Sequence, residues 1–99
     1  AFQQIFSRQL EGLAQPGDTA IGLSTSGNSP NVVEALRTAK TLKVQTIGLT
    51  GGTGGQMAAL CDICIGVPST VTARIQEVHL TIGHLLCALV EDALLAKRP

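Results

Sequence analysis

Three short apolar runs constrain this 99-residue chain more than any other feature: residues 19–25 (TAIGLST), 44–50 (VQTIGLT) and 63–68 (ICIGVP). Each is bounded by turn-forming residues. None alternates polar with apolar side chains, as a strand with one solvated face would. The segments around them have helical spacing instead. Phe2, Ile5, Phe6, Leu10 and Leu13 share one helical face, which the break at Gln15-Pro16-Gly17-Asp18 ends. Val32, Val33, Leu36, Ala39 and Leu42 mark a second helix over residues 30–42, with Ser29 placed to cap it and Pro30 in its first position. Residues 56–60 can form a short helix, and residues 72–97 one long one. Helices alternating with fully apolar strands predict an α/β fold, an open parallel sheet with helices on both faces. Three strands are few for such a sheet, and the first helix begins without a capping residue. The expectation is that residues 1–99 are the C-terminal part of one domain, with further strands and helices before them.

Composition removes several function classes. Lys plus Arg is 7 and Asp plus Glu is 7, so the net charge is zero, which argues against a nucleic-acid surface. With no Trp or Tyr and only two Phe, stacking on bases or sugar rings is disfavoured as a binding mode. Cys61, Cys64 and Cys87 are an odd set in a chain without a signal-like start, so the sequence predicts a reducing cytoplasm rather than a disulfide framework. The CxxC at 61–64 runs from a helix end into a strand, whereas redox motifs open a helix, and no second CxxC completes a zinc site. Cys64 therefore reads as a core residue. No apolar run reaches a membrane-spanning length without a polar break, which argues against a membrane partner.

The strongest chemical signal is Ser24-Thr25-Ser26-Gly27-Asn28-Ser29, where the first strand ends and a helix begins. Ligands of open α/β sheets bind at the carboxyl ends of strands. A helix N-terminus there offers free backbone N–H groups and a partial positive charge. The hydroxyls of Ser24, Thr25, Ser26 and Ser29 can each donate to a phosphate oxygen, and Gly27 lets the backbone come close. The loop lacks the GxxxxGK[ST] spacing of a P-loop and contains no Lys or Arg, so neutral donors would hold the anion. The plain alternative is a polar turn with a helix cap. The glycine cluster at 51–55 also follows a strand, and a tight turn needing positive φ explains it without a ligand.

In the last helix Ile75, Val78, Ile82, Leu85 and Leu89 follow 3-4 spacing, and Leu80, Leu86 and Val90 widen the apolar surface. A helix of this kind needs more than one neighbour, so the expectation is burial by the sheet and by a second subunit of a homo-oligomer. Gln76 and His84 interrupt it. Eight residues separate them, placing them about 80° apart around the axis and about 12 Å apart along it. That is wide for two ligands of one ion, and spacing alone reads His84 as a partly buried, hydrogen-bonded histidine. His79 falls on the apolar side and reads as a packed or subunit-contact residue. Glu77 reads as solvated.

Taken together, the segment STSGNSPN at 24–31, the run IGLTGG at 47–52 and ARIQEVH at 73–79 followed by His84 resemble the phosphoheptose isomerase branch of the sugar isomerase (SIS) domain proteins. The resemblance covers about residues 2–95. The serine loop marks the wider SIS group, and the RIQE-x-H segment with His84 is more specific. The resemblance implies a cytoplasmic homotetramer with active sites between subunits. It implies conversion of sedoheptulose 7-phosphate to D-glycero-D-manno-heptose 7-phosphate, toward the heptose of bacterial lipopolysaccharide. By position, Ser24, Thr25, Ser26 and Ser29 match the substrate phosphate loop. Gln76 matches a residue that touches both substrate and zinc, and His84 a zinc ligand that is also an acid/base. The family's other two zinc ligands, a His and a Glu on an earlier helix, have no counterpart in this chain. That departure implies that these residues alone are inactive. The alternative is a non-catalytic SIS protein, binding a phosphosugar without reaction or resembling the DnaA-binding replication regulator. That regulator shares RIQE-x-H but carries Asn where His84 stands, so His84 argues for the isomerase.

Overall fold

The computed structural model describes residues 2–97. A 3-10 turn (Phe2–Gln4) leads into α1 (Ile5–Leu13). There follow β1 (Thr19–Leu23), α2 (Pro30–Thr41), β2 (Gln45–Gly51), α3 (Met57–Leu60), β3 (Ile63–Val67) and α4 (Thr72–Ala96). This is the expected order, with each boundary within a residue or two once the 3-10 turn is counted. The strands form one parallel sheet in the order β1-β2-β3, with Ile21 level with Ile47 and Ile63, and Leu23 level with Leu49 and Ile65.

Strand alternation divides this sheet into two unlike faces. Ala20, Gly22, Thr46, Gly48 and Cys64 lie on one, and their small size lets helices approach. A Cβ at Gly22 would press on Val32 and Leu36 of α2, and one at Gly48 on Met57 of α3 and on Cys61 just after it. Val33, Leu36 and Met57 form the buried cluster there, with Val32, Leu60 and Cys61 packed around it. The other face carries the branched residues Ile21, Leu23, Ile47, Leu49, Ile63 and Ile65, and α4 lies across it over β2. Leu49 is buried beneath α4, whereas Ile21, Leu23, Ile63 and Ile65 on the flanking strands stay exposed.

Two contacts fix the start of β2. α2 closes with Lys43 N–H donating to the Lys40 carbonyl (3.2 Å) and Val44 N–H to the Ala39 carbonyl (2.9 Å). That pair of bonds is the Schellman arrangement, and it requires a left-handed residue, here Lys43 at φ 60°. Asp62 then ties β2 to β3: its carboxylate accepts from Thr46 N–H (2.9 Å) and Thr46 Oγ1 (3.3 Å), and its own N–H donates to Thr46 Oγ1 (2.9 Å). The CxxC thus holds a structural Asp. Burial, then the neighbouring Cys64 and Asp62, push the Cys61 thiol up, which keeps it protonated near neutrality. All three cysteines are free.

α4 is covered by this chain's own sheet only near its start. Only Ile75 and His79 are buried along it. Leu80, Leu85, Leu89, Val90 and Leu94 are exposed. The reason is length. A helix of 25 residues extends about 37 Å, whereas the seven residues of β2 reach about 23 Å, so α4 overshoots the sheet. By length and composition α4 also qualifies as a membrane span, with a mean hydropathy of 1.5 over an 18-residue window, although polar residues interrupt its apolar run. Its polar groups are spread along it, however. An exposed Arg74–Glu77 ion pair (3.1 Å) sits in its first turns, and Glu91 and Asp92 lie toward its end.

Candidate functional site

The serine loop is organised around one hydroxyl. Ser24 Oγ accepts from Gly27 N–H (3.1 Å) and Ser29 N–H (3.3 Å), and lies 2.7 Å from Ser29 Oγ and 3.4 Å from Ser26 Oγ. A hydroxyl has two acceptor sites and one proton. With both acceptor sites engaged by N–H groups, the Ser24 proton goes to Ser29 Oγ, leaving the Ser29 proton available to a ligand. Ser26 Oγ accepts from Asn28 N–H (3.1 Å) and likewise keeps a proton to donate. Ser24 is 6% exposed, Thr25 and Ser29 are half-buried, and Ser26 is exposed. The N–H groups of Thr25 and Ser26 have no acceptor among the described residues. Ser29 and Pro30 occupy the expected N-cap and first helical positions of α2, but the Ser29 side chain does not cap the helix. Its hydroxyl is turned toward Ser24 instead. Free N–H groups, two donor hydroxyls and the positive end of α2 together form an anion cradle without a formal charge.

The loop rests on the glycine turn after β2. Gly27 has φ 73°, and a Cβ there would run into the Gly54 carbonyl oxygen. Met57 N–H donates to the Gly27 carbonyl (3.1 Å), and Gln56 N–H to Asn28 Oδ1 (2.8 Å). Positive φ at Gly52, Gly54 and Gly55 bears out the turn reading of that cluster. Sequence reasoning missed its second role as a support. The signal was present, since neighbouring parallel strands must bring their carboxyl-end loops side by side.

α4 begins at the same end of the sheet. A Cβ at Gly51 would collide with Ile75 Cδ1 and come 2.9 Å from the Thr25 carbonyl oxygen, so β2, α4 and the serine loop meet at this residue. One turn further, His79 Nε2 lies 2.8 Å from the Thr50 carbonyl oxygen. Gln76, beside Ile75, is exposed. Ile75, His79, Ile82 and Leu86 occupy a stripe about 60° wide facing the sheet, while His84 lies about 180° around from Ile75. His84 is exposed rather than partly buried, and it points away from the sheet that carries this chain's own serine loop. Among the described residues no group of three or more His, Cys, Asp or Glu is placed to hold a metal. Gln76 and His84, the positions for which the resemblance implies zinc, are both exposed and lie eight residues apart on α4.

A cavity of about 620 Å³ lies elsewhere. It runs along the free edge of β1 between α1 and α2, lined by Phe6, Leu10, Leu13, Ile21 and Leu23, with none of the loop hydroxyls.

Fold and loop together define an open parallel α/β domain with a loop of free hydrogen-bond donors at the carboxyl end of β1. The chain belongs to the SIS domain family, whose pattern matches residues 1–51, from the N-terminus through the serine loop to the end of β2. It is 57% identical over 93 residues to the phosphoheptose isomerase of Rhodospirillum rubrum, covering 94% of this chain and 50% of that protein. The solved phosphoheptose isomerase of Neisseria gonorrhoeae superposes with a TM-score of 0.87 at 42% identity, over 90% of this chain and 51% of that one. That of Francisella tularensis gives 0.88 at 38% identity, over 92% and 49%. The chain thus spans about half the length of the relatives it matches.

Proposed function

We propose that this chain supplies the phosphate cradle and the acid/base histidine of a cytoplasmic phosphoheptose isomerase, which interconverts sedoheptulose 7-phosphate and D-glycero-D-manno-heptose 7-phosphate. The observation that carries this reading is an anion cradle of neutral donors on a chain 57% identical to a phosphoheptose isomerase.

The phosphate docks on Thr25, Ser26 and Ser29, with Ser24 holding the loop in shape from within. Anchoring at the phosphate fixes the far end of the sugar, where the carbonyl reacts, and so removes much of the entropic barrier. His84 takes a proton from C1 of the ketose. The C1–C2 enediol forms as the carbonyl oxygen gains a proton, and protonation at C2 with loss of the O1 proton gives the aldose. Gln76 binds the substrate oxygens next to this centre. A zinc ion, when bound, would polarise those oxygens, and Gln76 and His84 are the residues of this chain that would hold it. Two donors leave such an ion to be completed from outside these residues.

The direction of His84 bears on assembly. An imidazole on the far side of α4 from the sheet meets a phosphosugar only if another chain supplies the cradle. A homotetramer with shared sites satisfies this, and it covers the exposed leucines of α4 as well.

The test is incubation of the complete gene product with sedoheptulose 7-phosphate, following the aldose by NMR. Conversion that falls on chelation supports the reading. Tight binding of the sugar phosphate without conversion makes the protein a phosphosugar-binding SIS module instead.

A further inference from the structure

We infer that His79 is a positioning residue for this site, the side chain that sets where α4 presents Gln76 and His84. The inference rests on the isomerase reading above.

The geometry is specific. His79 is 4% exposed, and its Nε2 is 2.8 Å from the Thr50 carbonyl oxygen. A carbonyl oxygen only accepts, so Nε2 carries the proton and His79 donates. Thr50 adjoins Gly51, where Ile75 and the Thr25 carbonyl converge on β2. Apolar contact at Ile75 resists separation of helix and strand, but it resists sliding weakly because such contact is non-directional. A single hydrogen bond between a helix side chain and a strand carbonyl does resist sliding, because it has one length and one direction. It is also the only side-chain hydrogen bond from α4 to the sheet among the described residues. Gln76 lies three residues before His79 and His84 five after it, so a shift of α4 along β2 displaces both relative to the body of this chain and thereby to a cradle that another chain supplies. A histidine buried against an apolar sheet would otherwise serve packing less well than leucine.

The complete gene product is compared with its His79→Leu and His79→Gln variants. Glutamine carries an N–H that can reach the same carbonyl. The expected result is that His79→Leu lowers kcat roughly 10- to 100-fold with KM for the sugar phosphate changed less than about threefold, because the cradle itself is untouched. His79→Gln is expected to recover most of the loss. The inference is overturned if His79→Leu turns over like the parent, if His79→Gln is no better than His79→Leu, or if kcat and KM move together. Where His79→Leu does not fold, His79→Asn, polar but too short to reach, takes its place with the same expectations. Amide hydrogen exchange over residues 76–85 separates this idea from the isomerase reading. If the parent does not convert the sugar phosphate, that reading falls, and exchange alone decides the role of His79. Protection lost in His79→Leu and regained in His79→Gln sustains it, and protection unchanged in His79→Leu overturns it.

Discussion

The serine loop and the distal part of α4 are opposites. In the loop, one buried hydroxyl accepts from two N–H groups and bonds the Ser29 hydroxyl, and a second loop supports it from below. Beyond Ile82, by contrast, α4 has no buried residue among those described. The loop is finished within one chain, and its shape is determined by polar bonds that leave selected donors free. The distal helix leaves its leucines exposed within this chain. The difference teaches that, on the proposed function, binding and chemistry are separable: the loop is built within this chain, whereas His84 faces away from it.

The sharpest way to break this comparison is His84→Ala in the complete gene product. Loss of an acid/base group is expected to lower kcat about 10²- to 10⁴-fold, with no change in thermal midpoint because His84 is exposed. A parent-like rate measured by NMR would remove His84 from the chemistry. Next is Gly27→Ala, which forces a side chain into left-handed backbone and against the Gly54 carbonyl. Urea denaturation is expected to report a loss of about 2–3 kcal/mol, together with loss of sugar-phosphate binding. Leu89→Glu tests the other region. It adds a charge to an exposed leucine, so secondary structure by circular dichroism is expected to hold while light scattering reports smaller particles. Ser29→Ala removes one donor to the phosphate and is expected to raise KM about tenfold with kcat little altered, from steady-state kinetics. The smallest effect is Lys43→Gly at the left-handed end of α2, expected to stabilise by about 1 kcal/mol in urea titration.

The order of the elements was legible because each strand is an unbroken apolar run and each helix keeps its period, so tertiary packing had little to override. The cradle was legible as residue types but not as a bond pattern. That Ser24 is internal and Ser29 turned toward it, instead of capping α2, depends on loop torsions that no spacing rule encodes. How little of α4 this chain's own sheet covers was not legible, because apolar composition reports what a helix prefers to contact, not how far the sheet beneath it reaches. His79 was read as a packed or subunit-contact residue on the apolar side and is packed against the sheet, but its partner, a backbone carbonyl, carries no sequence signal.

The outward direction of His84 has a genetic corollary. If one polypeptide grips the phosphate and another performs the proton transfer, two alleles that are each inactive alone, one defective at Ser29 and one at His84, should rescue each other when co-expressed. Mixed assemblies would then contain some clefts built entirely from intact parts.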